Sequence, residues 1–433
     1  MKILFFSHYF PPEVNAPATR TFEHCRRWAR AGHEVTVVTC VPNCPDGVVY
    51  AGYRNRMRRQ VEEVDGVRVV RVWTYVAPNA GTVRRIANYV SYQASATLTS
   101  LRLPRPDVIV ATSPQFFCGW AGVWASRIKR VPLVLEIRDI WPESIAAVGA
   151  MRPGIGIRYL EWLERRMYLA ARQIVTVGTG YRDHVLRRAP KAVGRTYVIT
   201  NGVDAELYVP QQPNASLLER YGLAGKFVCS YVGTIGMAHG LEVVLRAARR
   251  LKDAGRDDIA FLLVGDGAKR AALTEQARMD GVADRVIFTG RLAKEEMPTV
   301  LASSDASLVH LRGIELFGTV IPSKIFETMA MERPIIMGVK GPARKIVMEA
   351  EGGVPMEPDS DEELARIVTG MADDRAGTAA MGRRGRAYVL EHYNRDGLAA
   401  EYLELLLSLA PNGHMAGAPS DNADRSCIVV GSN

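Results

Sequence analysis

Short continuous apolar runs alternate along the chain with longer segments in which apolar residues recur every three or four positions. The run KILFF at 2–6 predicts a buried strand, because it is short and bounded by turn residues. Residues 18–31 have the spacing of an amphipathic helix, and the strand EVTVVT at 34–39 follows after Gly32. A strand, a helix and a strand in this order predict a βαβ unit with parallel pairing and a right-handed crossover.

This cycle runs through the chain twice. In the first half we expect further strands at 67–73, 107–112, 132–137, 173–177 and 196–200 and helices at 83–101, 116–128, 155–171 and 179–188. In the second half we expect strands at 227–232, 260–264, 286–290, 306–311 and 334–339 and helices at 240–254, 268–279, 294–302 and 322–331. Strands this apolar need helices on both faces. The sequence therefore predicts an α/β fold of two Rossmann-like, doubly wound parallel-sheet domains facing a central cleft.

Turn-rich stretches divide the chain. The turn NGVD and the nearby prolines favour a boundary between an N-terminal domain at 1–204 and a C-terminal domain at 205–387. Terminal helices at 388–410 are expected to return to the N-terminal domain, and 411–433 has the composition of a disordered tail. The first residues are interpreted as a strand and not as a signal peptide, because Pro11-Pro12 follows a short apolar run.

Charge is distributed unevenly between the halves. Residues 1–200 contain 29 lysines and arginines against 14 acidic residues, whereas 201–433 contain 26 against 32. A basic half indicates contact with an anionic membrane surface, an anionic acceptor or nucleic acid, and a plainly solvated surface is the alternative. The segment 50–59 interleaves aromatic and apolar residues with four arginines and resembles a membrane-surface element. No nucleic-acid-binding signature accompanies it, so we expect no nucleic acid partner.

The rest of the amino-acid composition indicates the class of protein. The chain is 48% hydrophobic and 23% charged, as in ordinary globular proteins, and it contains no run of 18 apolar residues that could span a bilayer. Its six cysteines are scattered, which predicts reduced thiols in a cytoplasmic protein. Because there is no DxD at a strand end and no His/Cys cluster, we predict neither a metal nor a cofactor.

Glycines follow three successive strands of the second half. Gly233, Thr234 and Gly236 come directly after the strand at 227–232 and precede a helix. Glycines let a ligand approach the backbone closely, and a helix start favours a phosphate. A structural turn would also explain this one loop. The pattern recurs, however, in Gly265, Asp266 and Gly267 after the next strand and at Gly290 and Arg291 after the third, where the guanidinium suits a diphosphate or a base.

The segment PSKIFE at 322–327 opens a further predicted helix. Pro322 is preorganised for a helix start, and Lys324 lies in the first turn, where a phosphate would be bound. Glu327 is three residues on, placed to accept hydrogen bonds from two ribose hydroxyls. A surface Lys–Glu pair is the alternative explanation.

These motifs resemble those of a known family. VGTIGMAHGLE, VGDG, FTGR and IPSKIFETMAMERPII look like the donor-binding motifs of the retaining glycosyltransferase group 1 family, which has the GT-B fold. SHYFPPEVNAPATR, SPQFFCGWAG and EIRDIWPES resemble a branch that transfers N-acetyl-amino-deoxysugars or related hexoses in bacterial capsule, O-antigen and colanic acid synthesis. The resemblance covers residues 1 to about 410.

The resemblance implies roles for individual residues. Glu327 would bind the donor ribose, Lys324 would contact the diphosphate, and Gly233 and Gly236 would permit its approach. Residues 264–267 and 290–291 would hold the base. The implied donor-binding set also includes Thr234, Ser323 and Ile325, and the motif at 7–20 contributes Glu13, Asn15 and Arg20 to acceptor binding.

Three positions depart from the wider family. The acidic residue usual eight positions before the ribose carboxylate is Thr319, and the usual Arg and Lys of the first loop are Thr234 and His239. The leaving diphosphate gains charge in the transition state, so other cations must compensate. Lys324, Arg291, Arg138 and a helix start are available. A protonated His239 is a further candidate, although it could equally be a simple helix-start residue.

Asp139 follows the predicted strand at 132–137, at the carboxyl edge of the first sheet. Next to Arg138 it would be ionised and could orient the acceptor hydroxyl or act as its base. A helix cap or an internal ion pair is the alternative. Glu13 and Asn15 have the same two interpretations, as acceptor-binding residues or as loop caps.

Together these features predict a retaining, metal-independent glycosyltransferase. We expect it to move a hexose or N-acetylhexosamine, most simply UDP-linked, to a glycan or polyprenyl-diphosphate-linked acceptor in surface polysaccharide or glycoconjugate synthesis. It would act in the cytoplasm, peripherally at the inner face of the membrane. A nucleotide-sugar epimerase and a non-catalytic nucleotide-binding protein on the same scaffold are the alternatives.

Overall fold

A computed structural model describes residues 1–44, 47–77, 82–113, 115–141, 154–314, 318 and 321–410. The expected tail at 411–433, together with Thr319 and Cys427, lies outside these residues. The chain forms two compact units. The first unit comprises residues 1–200 and the chain from Leu398 onward, and the second unit comprises Asn201–Gly397.

The first unit is built on an eight-stranded sheet. Its strands are β1 (Lys2–Phe6), β2 (Glu34–Cys40), β3 (Gln60–Val64), β4 (Val67–Val72), β5 (Val108–Thr112), β6 (Leu133–Ile137), β7 (Gln173–Thr176) and β8 (Thr196–Val198). Its helices are α1 (Ala16–Arg30), α2 (Thr82–Leu101), α3 (Phe116–Lys129), α4 (Ile155–Ala170) and α5 (Thr179–Arg188), followed by a 3₁₀ turn at Pro190–Ala192. The strand order is β3-β4-β2-β1-β5-β6-β7-β8.

The second unit contains a six-stranded sheet. Its strands are β9 (Phe227–Val232), β10 (Ile259–Val264), β11 (Val286–Gly290), β12 (Ala306–His310), β13 (Ile335–Gly338) and β14 (Gly353–Pro355). Its helices are α6 (Ala215–Arg220), α7 (Glu242–Asp253), α8 (Arg270–Met279), α9 (Met297–Ala302), α10 (Lys324–Ala330), α11 (Pro342–Glu349), α12 (Asp361–Asp373) and α13 (Arg375–His392), with 3₁₀ turns at Met237–His239 and Lys294–Glu296. A last helix, α14 (Arg395–Leu407), follows α13.

The topology of the second sheet indicates where a ligand can bind. The strand order is β11-β10-β9-β12-β13-β14, and all neighbouring strands are parallel. β10 and β11 thus lie on one side of β9, and β12, β13 and β14 lie on the other. In open α/β sheets, ligands bind beyond the carboxyl ends of the strands at such a switch point. The loop after β9 occupies that position.

Two apolar layers cover the first sheet, because successive side chains of a strand point to opposite faces. On one face, Leu4 and Phe6 belong to a buried cluster with residues of α2, α3 and α4. On the other face, Ile3 and Phe5 cluster with α1 and α14. The C-terminal helix therefore completes the core of the first unit.

One strand of the first unit was not expected. β3 pairs antiparallel with β4, through a turn in which Asp65 and Gly66 both have positive φ. An Asp-Gly turn of this kind matches the twist of a hairpin. The strand escaped prediction because QVEEV has only two apolar residues, and it lies at the edge of the sheet.

The turn NGVD, which marked the expected domain boundary, packs within the second unit. Val203 N donates to Tyr393 O at 2.9 Å, and its neighbour Tyr208 is buried. Both belong to the cluster that also contains Phe326 of α10.

Candidate donor site

The glycine loops of the second unit are joined to each other by backbone hydrogen bonds. Gly233 N donates to Val264 O at 2.9 Å and Ile235 N donates to Asp266 O at 2.9 Å. Gly265 N in turn donates to Gly290 O at 3.0 Å. The loops after β9, β10 and β11 therefore form one continuous backbone surface at the carboxyl edge of the sheet.

Glycine is required where two of these loops touch. Gly265 has φ +139°, and a Cβ on it would lie 1.9 Å from Gly233 O. A Cβ on Gly267 would lie 2.5 Å from Ile235 O. Any side chain at these positions would push the loops apart. Glycine at both positions therefore allows the two backbones to approach each other closely.

Lys324 extends from the first turn of α10 over the first glycine loop. Its Nζ lies 2.7 Å from the position that a Cβ on Gly233 would take. It also lies 3.9 Å from the centroid of the Tyr231 ring, a cation–π distance. Burial lowers the pKa of Lys324 to about 7, against a partly compensating attraction to Glu327. The site thus holds a poorly solvated ammonium whose charge an anion would stabilise.

Glu327 lies one turn further along α10 and is half-buried. Burial raises its pKa, while Arg395, Lys294 and a hydrogen bond with the Tyr208 hydroxyl lower it. The Glu327 carboxylate thus lies among the side chains of Arg395, Lys294 and Tyr208. This environment differs from that of an exposed Lys–Glu pair at the surface.

The remaining residues of PSKIFE differ in exposure. Ser323 is exposed and begins α10 without a side-chain cap, whereas Ile325 is fully buried. The side chain of Ile325 belongs to the core beneath α10. A donor could therefore contact Ile325 only through its backbone, and its place in the donor-binding set stays a prediction.

Asp266 and Arg291 lie together at the exposed end of the loops. Asp266 accepts hydrogen bonds from Gly267 N and Arg270 Nε, both at 2.8 Å. The Gly267 hydrogen bond, Arg270 and the charge of Arg291 lower the pKa of Asp266. Because Arg291 is exposed, its guanidinium is accessible to a ligand.

His239 is neutral near pH 7. Burial and the charge of Lys324 lower its pKa to about 4. This lowered pKa disfavours the protonated imidazole, which was one of the two interpretations of His239. A Cβ on Gly236 would lie 3.4 Å from His239 Nδ1, which is buried and has no hydrogen-bond partner among the described residues. The exposed Thr234 contributes its carbonyl to the Tyr231 hydroxyl at 2.8 Å.

Two of the candidate acceptor residues act as loop caps in the first unit. Glu13 is buried, and its Oε1 accepts from Asn43 N and Cys44 N, each at 2.9 Å. Burial raises the pKa of Glu13. Asn15 is the N-cap of α1 and accepts from Ala18 N at 2.9 Å. These contacts match the alternative interpretation of both residues.

The side chain of Arg20 is buried and is bound within the first unit. It pairs with buried Glu136 at 2.9 Å and donates to Thr200 O and Ile199 O at 2.6 and 2.8 Å. Its side chain is only 6% exposed. These bonds tie α1 to the carboxyl ends of two strands, so Arg20 positions the framework of this edge.

Arg138 and Asp139 follow β6 at the same edge. Arg138 donates to Pro17 O and Ala16 O at 3.2 and 3.1 Å, and burial lowers its pKa to about 10 although Glu136 opposes the shift. Asp139 is half-buried, and burial together with the charge of Asp139 raises the pKa of Tyr181. The hydrogen bonds of Arg138 thus join the chain next to Asp139 to the start of α1.

Sequence reasoning missed the aromatic and basic partners of the site. Tyr231, Tyr208, Lys294 and Arg395 carry no motif, and Tyr208 and Arg395 are far from Glu327 in sequence. For Tyr231, its place in β9 just before the glycine loop was an available signal. Within the described ranges, no cluster of three or more His, Cys, Asp or Glu residues is arranged to hold a metal.

Two parallel-sheet α/β units, one with glycine loops, a lysine and a carboxylate at the carboxyl edge, define the GT-B class of nucleotide-sugar glycosyltransferases. The comparisons agree with this class. Residues 15–202 match the model of the glycosyl transferase 4-like domain, and residues 226–374 match that of the glycosyl transferases group 1. The chain belongs to the glycosyltransferase group 1 family.

Individual proteins resemble the chain over most of its length. WcaI of Escherichia coli, named for glycosyl transfer in colanic acid biosynthesis, is 26% identical over 76% of this chain and 81% of its own. Alpha-D-kanosaminyltransferase of Streptomyces kanamyceticus is 29% identical over 58% of this chain and 63% of its own. Anabaena Alr3699/HepE, solved with UDP-glucose, has a TM-score of 0.67 at 20% identity, covering 94% of this chain and 100% of its own.

No helix in the described ranges combines the length and the apolar character needed to cross a membrane.

Proposed function

We propose that the protein transfers a hexose or N-acetylhexosamine, with retention at the anomeric carbon, from a UDP-sugar to a glycan or polyprenyl-diphosphate-linked acceptor. The reaction would serve surface polysaccharide or glycoconjugate synthesis, on the cytoplasmic side of a membrane. The name of WcaI supports the pathway, and the name of the kanosaminyltransferase supports an amino sugar.

The position of Lys324 carries this proposal. Its ammonium lies directly over the glycine loop, 2.7 Å from the position that a Cβ on Gly233 would take. A diphosphate lying on the joined loops would accept a hydrogen bond from Nζ and would meet Arg291 at its exposed side. The leaving diphosphate gains negative charge as the glycosidic bond breaks, and fixed cations in a poorly solvated site stabilise that charge most. These groups would do so without a metal.

Glu327 would bind the ribose. A carboxylate oriented by Tyr208 and Arg395 would accept hydrogen bonds from two ribose hydroxyls. The neutral imidazole of His239 would offer an N–H to the diphosphate or to the transferred sugar. These assignments extend the pocket from the base, near 264–267 and 290–291, to the anomeric carbon.

The first unit would supply the acceptor site. Asp139 would orient the acceptor hydroxyl or take its proton, while Arg138 holds the adjoining backbone. Glu13, Asn15 and Arg20 would shape the acceptor loop through their internal hydrogen bonds, as positioning residues.

Calorimetry with nucleotide diphosphates tests the donor assignment. We expect UDP to bind in preference to GDP or ADP and Glu327→Gln to weaken UDP binding roughly tenfold to a hundredfold, the usual value of hydrogen bonds to a charged group. Glu275→Gln is the matched control, because Glu275 is exposed on α8 and its one ion-pair partner among the described residues is Arg278. Equal affinities for Glu327→Gln and Glu275→Gln would refute the ribose assignment.

Product analysis distinguishes the proposed reaction from its alternatives. With a polyprenyl-diphosphate-linked sugar as acceptor, NMR of the product should show the anomeric configuration of the donor. Epimerisation or hydrolysis of the donor without any acceptor would instead indicate an epimerase-type or hydrolytic enzyme. Nucleotide binding with no turnover on any acceptor would indicate a binding protein.

A further inference from the structure

Three helices of the first unit carry large apolar side chains on the side away from the sheet. The inner sides of α2, α3 and α4 contribute Tyr92, Ala121 and Met167 to one buried cluster. A surface helix normally places polar residues on its opposite side. Here α2 places Ile86, Val90 and Leu98 outward, with spacings of four and eight residues that form one stripe. Leu98 is 62% exposed.

The neighbouring helices continue this surface with aromatic residues. Trp124 and Ile128 lie one turn apart on α3 and are 43% and 55% exposed. On α4, Tyr159 and Trp162 are exposed, and their rings stack with centroids 5.8 Å apart. We call the outward side of α2, α3 and α4 the apolar–basic face. These seven exposed large apolar side chains, three of them aromatic, on three helices of one layer mark an interaction surface and not the scattered exposure of single residues.

The charge of this face has one sign. The Arg127 guanidinium lies 5.6 Å from the Trp124 ring centroid, and that of Arg166 lies 5.2 Å from the Trp162 ring centroid. Residues 82–131 contain seven lysines and arginines and a single acidic residue. That residue, Asp107, accepts a hydrogen bond from Lys2 N at 2.7 Å.

The acidic residues of α4 do not offset this charge. Glu161 pairs with Arg188 at 2.7 Å, and Glu164 is fully buried against His184 and Tyr168. The exposed part of α4 therefore presents arginines beside its aromatic rings. Among the described residues, the face joins apolar side chains with positive charge throughout.

This combination favours one kind of partner. A second copy seated on the same face would bring like charges together across a two-fold interface, which costs free energy. A membrane surface with anionic lipids accepts both the aromatic rings at headgroup depth and the arginines over the phosphates. No described helix spans a bilayer, so the face would lie on the surface.

We propose that the apolar–basic face docks on an anionic lipid bilayer, with Trp124 and Trp162 inserted at headgroup level and the arginines against the lipid phosphates. The inference deepens the proposed function, since a polyprenyl-linked acceptor is membrane-bound. It assigns the contact to α2–α4 and not to the arginine-rich segment at 50–59.

Vesicle flotation tests the inference with the full chain. We expect binding to vesicles of phosphatidylcholine with one quarter phosphatidylglycerol, weakened by salt, and little binding to pure phosphatidylcholine. Trp124→Ser with Trp162→Ser should lower partitioning at least tenfold. Arg127→Gln with Arg166→Gln should lower it roughly fivefold per arginine on the anionic vesicles.

Matched controls separate this face from the rest of the molecule. Met279→Ser with Leu407→Ser removes two exposed apolar side chains, one from the second unit and one from α14. Arg56→Gln with Arg58→Gln removes two exposed arginines of the segment at 50–59. Both controls should bind vesicles like the unaltered chain. Circular dichroism melting should show that every variant is folded.

Three outcomes would overturn the inference: full vesicle binding by the tryptophan variant, equal binding to neutral and anionic vesicles, or a loss of binding confined to the arginine control at 50–59. A self-association lost with the tryptophans, without vesicle binding, would replace the membrane by a second copy. UDP calorimetry on the same variants should be unchanged. If no nucleotide binds while vesicle binding still depends on the tryptophans, the proposed function fails and this inference stands.

Discussion

Lys324 is the residue whose environment says most about the chemistry. A lysine at a solvated surface is charged at any physiological pH. Burial against Tyr231 and the glycine loop lowers the pKa of Lys324 to about 7, so part of the population is neutral when no ligand is present. An anion next to Nζ restores the charge, and binding is therefore coupled to proton uptake.

This coupling predicts a pH dependence of nucleotide binding. Below pH 7 the ammonium is already charged, and above pH 7 it must take up a proton before it can pair with the diphosphate. We therefore expect the affinity for UDP to fall as the pH rises from 7 to 9, by up to about tenfold per pH unit. Calorimetry in buffers of different ionisation enthalpy measures both the affinity and the proton uptake.

The variant Lys324→Met supplies the control for this titration. It should bind UDP more weakly and with an affinity that is flat over the same pH range. His239 does not titrate there, because its pKa is about 4. An affinity of the unaltered chain that is constant from pH 7 to 9 would contradict the assignment of Lys324 to the diphosphate.

Other candidate residues proved to have internal partners that the sequence could not reveal. Arg20 occurs in a motif resembling an acceptor loop, yet it pairs with Glu136, which is 116 positions away in sequence. Arg138, which is expected to hold Asp139 ionised, also donates to two backbone carbonyls of the first turn of α1. A single sequence gives residue types at strand ends, but it does not show which of them bind the protein itself.

At the level of elements, periodicity predicted the strands and helices that are strongly apolar. The strand at 227–232 and the helix at 179–188 have the predicted bounds, because each has uniform patterning and clear ends. Elements with weak patterns were missed. These include β3, with two apolar residues, β14, with three residues, and the helices α11 and α12.

Helix α14 is the element whose place depends most on tertiary contacts. The Tyr402 ring lies 5.2 Å from that of Trp28 and 5.4 Å from that of His24, and Trp28 Nε1 donates to Ala399 O at 2.9 Å. These contacts bridge more than 370 positions in sequence. Helix α14 and helix α1 therefore form one apolar layer on the same face of the first sheet.

This packing predicts the effect of truncating Tyr402. Tyr402→Ala should lower the free energy of unfolding of the first unit by about 3–5 kcal/mol, as for other buried aromatic residues. Urea denaturation followed by tryptophan fluorescence measures the loss, because all six tryptophans lie within residues 1–200.

Tyr402→Phe is the matched control for this prediction. The Tyr402 hydroxyl is buried and has no hydrogen-bond partner among the described residues. Its removal should therefore leave stability unchanged or slightly raised. A loss as large as that of Tyr402→Ala would show that the hydroxyl, and not the packed ring, holds the helix.

For the whole molecule, the division of charge corresponds to a division of tasks in the proposed function. The second unit places its cations, Lys324 and Arg291, at the glycine loops, where a diphosphate would lie. The first unit spreads its arginines over helices with exposed aromatic residues. The sequence composition indicated that positive charge is concentrated in the first half. Only the structure shows which surface of the first unit carries both positive charge and exposed apolar side chains.

Hydrogen–deuterium exchange of the full chain with and without saturating UDP tests the central claim most directly. If the glycine loops, Lys324 and Glu327 form the nucleotide pocket, peptides covering 233–236, 264–267 and 324–327 should become protected together, and peptides of α2–α4 should not change. Protection confined to other segments, or no protection at saturation, would contradict the account.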